Sequence, residues 1–195
     1  SFSLDMSTMP KSPFTDVVAG SWYFDAALYA SSHNLMLGTS PTEFSPNITM
    51  TRGMLVTVLY RMNGSPSVSG KTPFTDVRTD EWYSAAVLWA YQNGIVTGMS
   101  DTTFDPINNV TREQMATILF RYTKTAAPDK AKASADLSGF ADAGSVNDWA
   151  VDAMRWAVGQ KLIAGITLEQ SVYLQPRGNA TRAQAATVLT RYYAQ

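Results

Sequence analysis

The chain has 195 residues, 45% hydrophobic and 11% aromatic, with a formal charge of −1 and no cysteine. That apolar content supplies a packed core and argues against disorder, and the missing cysteines exclude disulfide frameworks, thiolate zinc sites and a cysteine nucleophile. Arginines placed singly in a nearly neutral chain argue against a nucleic-acid surface, and no apolar run nears the roughly 20 residues of a bilayer span.

In chain order, the first landmarks are Phe14-Thr15-Asp16, then Trp22 opening a helix that stops at Asn34, a residue tolerant of the left-handed conformation. Phe44 and Pro46 follow, and Thr51-Arg52 opens a second helix. Its inward positions read as Met54, Thr57, Val58 and Arg61, and the charge at Arg61 points to a neighbouring register there. Residues 62–72, rich in Gly, Ser and Pro, read as a linker.

The second copy is the cleanest. Phe74 to Val77 is a short extended entry, and Thr79-Asp80 offers capping oxygens before a helix expected over residues 82–93. Trp82, Ala86, Trp89, Ala90 and Asn93 fall at three- and four-residue steps, which puts one apolar stripe on a single face. Gly94 supplies the left-handed stop. A turn-rich loop from Gly98 through Met99 and Ser100 closes on Phe104 and Pro106. Thr111 then caps a helix expected over residues 112–122, with Gln114 completing a capping box. Residues 123–139 form a longer connector, read as looping out and tolerant of change.

The third copy carries Phe140-Ala141-Asp142, Trp149, Gly165, Leu174 and Thr181-Arg182, with Gln184 repeating the box. From the first copy to the second, Phe14, Trp22, Phe44, Pro46 and Arg52 all recur 60 residues later. From the second to the third, the offset grows from 66 at Phe140 to 70 at Arg182. One copy alone cannot bury its apolar face, so the units 13–65, 73–125 and 139–195 are expected to share one core.

The ordered set of Phe-x-Asp, Trp, a glycine loop, Phe-x-Pro and Thr-Arg-x-Glu/Gln resembles the S-layer homology family in triplicate, from about Pro13 to the end. Val110-Thr111-Arg112-Glu113-Gln114-Met115-Ala116 carries the closest likeness. The resemblance implies a mainly α fold, with three helical repeats forming one pseudo-threefold module of three lobes around a central helical bundle. It also implies a bacterial cell-surface module anchoring a larger protein noncovalently to secondary cell-wall polysaccharide, often through a pyruvylated amino sugar. The sequence departs from the family at Gly53 and Met54, at Leu174, and in a third loop three residues longer.

Under that reading Arg52, Arg112 and Arg182 are the candidate ligand residues. Each stands at a helix start, where free backbone N–H groups and the helix dipole add to the guanidinium and favour a carboxylate. The groove holding Arg112 is expected to be the best formed, and Arg112→Ala to weaken binding with little change in stability. Trp22, Trp82 and Trp149 offer faces to a sugar ring, or else pack in the core. Asp16, Asp76 and Asp142 accept from sugar groups, or else cap their own turns. Met99 and Ser100 join the groove lining. No cofactor or metal is expected, and no nucleophile elbow, phosphate loop or zinc-protease motif points to an enzyme. The alternative is a protein-interaction or surface-layer assembly module without direct glycan binding. Because it begins with Ser1, the chain reads as a piece of something longer.

Overall fold

The computed structural model describes residues 11–132 and 134–194. Among these the chain is mostly helical: α1 (Phe24–Ser32), α2 (Arg52–Met62), α3 (Ser84–Gln92), α4 (Arg112–Ala126), α5 (Val151–Gly159) and α6 (Arg182–Tyr193). A small antiparallel hairpin, β1 (Ile166–Leu168) and β2 (Ser171–Tyr173), accounts for the longer third loop.

Helix starts and stops follow local chemistry. Thr111 and Thr181 accept from the Gln114 and Gln184 amides while those glutamines bond back to the threonine N–H groups, so both capping boxes form. Thr51 caps alone, because Met54 has no oxygen to return. Asn34 and Gly94 end their helices at φ 55° and 68°. Two expectations shift. The helix read as starting at Trp82 starts at Ser84, after Tyr83, with no side-chain cap. Asp80 is drawn instead to Arg78, at 2.7 Å.

The repeats interlock in sequence order. Repeat-leading helix α3 packs on α2, α5 on α4 and, closing the circle, α1 on α6. Each repeat therefore docks its first helix on the second helix of its predecessor, which is why a single repeat cannot bury its own stripe. Leu55, Met115 and Ala185 are fully buried, as are Leu59, Leu119 and Leu189. These residues set the inward register of α2, α4 and α6. Arg61 is thus the counterpart of Arg121 and Arg191 rather than of Tyr122, and the apparent break in the first repeat disappears.

Three backbone hydrogen bonds join the segments that enter these helices. Met50 N–H donates to the Ala180 carbonyl, Ala180 to Val110 and Val110 to Met50, at 2.8, 2.9 and 2.9 Å. The long connector does not loop out. Arg155 Nε donates to the Ala135 carbonyl, Trp156 Nε1 to Lys130, and Leu137 is buried, so the connector is strapped onto α5.

Candidate ligand-binding site

The loop before each Thr-Arg is held by one carboxylate. Asp76 accepts from the amides of Phe104 (2.9 Å) and Asp105 (2.7 Å), and Asp16 and Asp142 hold Phe44/Ser45 and Leu174/Gln175 in the same way. The second residue of each pair is left-handed without being glycine: Ser45, Asp105 and Gln175 have φ of 56°, 56° and 48°. A non-glycine residue persists in that region only where its surroundings over-determine it, and the two-point carboxylate clamp does so. The three aspartates are loop clamps here, and none lines a groove.

The loop so formed caps the helix of the preceding repeat. Arg52 N–H donates to Asn108 O and Gly53 N–H to Pro106 O. Arg112 and Glu113 donate to Gly178 and Pro176, and Arg182 and Ala183 to Ile48 and Pro46. With the third amide of each helix taken by its threonine, the helix-start donors are spent on protein. The expectation of free N–H groups for an anion is corrected: what remains at each helix start is the guanidinium.

That guanidinium is itself partly committed. Arg52 Nε donates to Phe104 O, Arg112 Nε to Leu174 O and Arg182 Nε to Phe44 O, each at 2.8 Å, always into the next repeat. All three arginines are 5–6% exposed. Burial pulls each below its ordinary pKa, opposed at longer range by Asp76 and Asp105 on Arg52, by Asp142 on Arg112 and by Asp16 on Arg182. The expectation that Arg112 is nearly neutral for stability therefore gives way to a dual role, joining repeats and facing a groove.

Three grooves between repeats follow, numbered here by the repeat that supplies the glycine loop. Their volumes are about 410, 350 and 530 Å³. The first joins Gly38 and Arg61 to Arg182 and Trp82; the second joins Gly98 and Arg121 to Arg52 and Trp149; the third joins Gly165 and Arg191 to Arg112 and Trp22. Every groove thus takes a loop and helix from one repeat, an arginine from the one before and a tryptophan from the one after. The tryptophans are 66%, 58% and 54% exposed at Trp22, Trp82 and Trp149, so they lie outside the core stripe into which the spacing placed Trp82. Gly98 is required by close approach: a Cβ there would sit 2.5 Å from Phe74 Cε1.

Met99 lines the second groove, whereas the hydroxyl of the exposed Ser100 serves its own turn, accepting from Thr103 N–H and bonding Thr103 Oγ1. Sequence reasoning missed Arg61, Arg121 and Arg191. The signal was available, since they recur at the same offsets of 60 and 70 as the Thr-Arg arginines. Each groove therefore collects two guanidiniums, yet among the described residues only Arg78 and Asp80 form an ion pair. In each groove a buried arginine is thus joined by a second one, half-buried at Arg121 and exposed at Arg61 and Arg191, with no carboxylate in contact, an arrangement that favours an anion.

The S-layer homology domain pattern matches residues 13–53, 73–116 and 139–186. The chain belongs to the S-layer homology domain family. It is 33% identical over 178 residues to an endoglucanase of Bacillus sp. (strain KSM-635), covering 91% of this chain and 18% of the relative. It is 31% identical over 154 residues to a surface-layer 125 kDa protein of Lysinibacillus sphaericus, covering 79% of this chain and 12% of that one. An amylopullulanase of Thermoanaerobacterium thermosulfurigenes is 28% identical over 90% of this chain and 9% of its own length. The S-layer homology module therefore spans less than a fifth of each of these relatives, and it is a module of the bacterial cell surface.

Proposed function

We propose that this S-layer homology module anchors a larger surface protein by binding secondary cell-wall polysaccharide in its inter-repeat grooves, without catalysis. The ligand is an acidic, pyruvylated amino sugar. The observation that carries this reading is the pairing, in one groove, of an exposed tryptophan with two arginines that no carboxylate contacts. A ketal carboxylate supplies the missing charge to a planar guanidinium, worth about 1.5–3 kcal/mol where water is partly excluded. The indole covers the apolar side of the sugar ring. The three repeats act as one cooperative module with pseudo-threefold symmetry around a central bundle, supported by the closed circle of helix packing and backbone bonds.

Calorimetry against purified wall polysaccharide, intact and stripped of its ketal groups, tests the reading. Binding that disappears with the ketal supports it. Equal binding to both polymers, or binding to surface-layer protein but not to polymer, overturns it.

A further inference from the structure

The three grooves share a plan, but their arginines are not in the same state. Each guanidinium spends Nε on the next repeat, which leaves the edge formed by its two terminal nitrogens as the surface that can grip a carboxylate with two parallel hydrogen bonds. For Arg52 and Arg112 that edge has no partner among the described residues, although both side chains are more than nine-tenths buried and line their grooves. For Arg182 the edge is broken. Its Nη2 donates to the Leu37 carbonyl at 2.6 Å, a bond with no counterpart at Thr97 or Ala164.

A second difference falls in the same groove. Gln114 and Gln184 line the second and third grooves; each uses its oxygen on the capping box, and of the two hydrogens on the amide nitrogen Gln114 gives one to Met99 Sδ at 3.7 Å, which leaves the other as a donor. The first groove has Met54 at that place and offers no donor there. Two of its polar contacts are thus lost, one to the protein's own carbonyl and one to a thioether.

Resting on the glycan reading above, we infer that the second and third grooves are the carboxylate sites of this chain, and that the first is closed to bidentate carboxylate binding by the Arg182–Leu37 contact and Met54. The module then binds two acidic sugars, not three. Both lie in grooves completed by terminal repeats, since Trp149 belongs to repeat three and Trp22 to repeat one.

Because each tryptophan serves one groove and is more than half exposed, it can be removed groove by groove without disturbing the core. The probe is the methyl glycoside of an N-acetylhexosamine carrying a pyruvate ketal, titrated calorimetrically into the 195-residue chain. The expected stoichiometry is two. Trp149→Ala and Trp22→Ala each reduce it to one, and the double variant abolishes binding while its thermal midpoint stays within a few degrees of the parent. A stoichiometry of three, or one site surviving in the double variant, overturns the inference and leaves the glycan reading standing. Failure of the unaltered chain to bind the probe overturns both.

Discussion

Arg182 and Phe44 stand 138 residues apart, and the Arg182 Nε–H donates to the Phe44 carbonyl at 2.8 Å. The same bond links Arg52 to Phe104 and Arg112 to Leu174 between neighbouring repeats. Of these three side-chain bonds that of Arg182 joins the last repeat to the first, alongside the Met50–Ala180, Arg182–Ile48 and Ala183–Pro46 backbone bonds, and Thr190 Oγ1, donating to the Ala26 carbonyl, reinforces the closure between α6 and α1.

Removing that side chain opens the closure and leaves the Phe44 and Leu37 carbonyls short of a donor. Arg182→Ala is expected to cost about 2–3 kcal/mol, on the scale of charged hydrogen bonds. For a chain of this size that lowers the thermal midpoint by roughly 4–12 °C, read by differential scanning calorimetry. A shift under 2 °C would show that the closure does not depend on this arginine.

Arg112→Ala is expected to lose stability and binding together, since the same guanidinium bonds Leu174 O and faces the third groove. Trp22→Ala in that groove separates the two effects. Its expected signature is an unchanged melting curve with at least tenfold weaker affinity for the third groove by calorimetry. A melting point lowered as far as in the arginine variant would make the tryptophan structural instead.

Gly53→Ala inverts the usual rule. Helix propensity alone credits the change with about 0.5–1 kcal/mol, yet the new Cβ would lie 2.8 Å from the Pro106 carbonyl and 3.4 Å from the Tyr83 ring. Overpacking against backbone costs about 1–3 kcal/mol, so urea unfolding should show a lower midpoint. Stabilisation would mean the neighbouring loop yields.

Residues 13–125 expressed alone lack the loop that caps α4 and the α6 surface on which α1 packs. This fragment is expected to show no cooperative thermal transition by circular dichroism at 222 nm. A sharp transition would mean that two repeats suffice as a folding unit.

Much of the local structure was legible because it depends on neighbours in sequence. The capping boxes at Thr111 and Thr181, the left-handed stops at Asn34 and Gly94 and the order of helices all follow from residues within one turn of each other. The aspartates were harder. Asp76 reads equally well as a turn former or a ligand, and only its two bonds to amides 28 and 29 residues away decide for the loop clamp. Trp82 fits the helical stripe by spacing, but the helix starts two residues later and turns it out to solvent. Gly53 reads as a flaw in the first repeat until Tyr83 and Pro106 appear against it.

By itself the sequence determined that three copies exist, where the three Thr-Arg helices begin and which family they belong to, because repetition and capping are written in short-range chemistry. The tertiary structure alone decided that each Thr-Arg helix is capped by the next repeat, that a groove draws on all three repeats, and that Arg182 differs from its two counterparts. Those facts depend on contacts between residues 28 to 145 positions apart, for which spacing along the chain carries no distance in space.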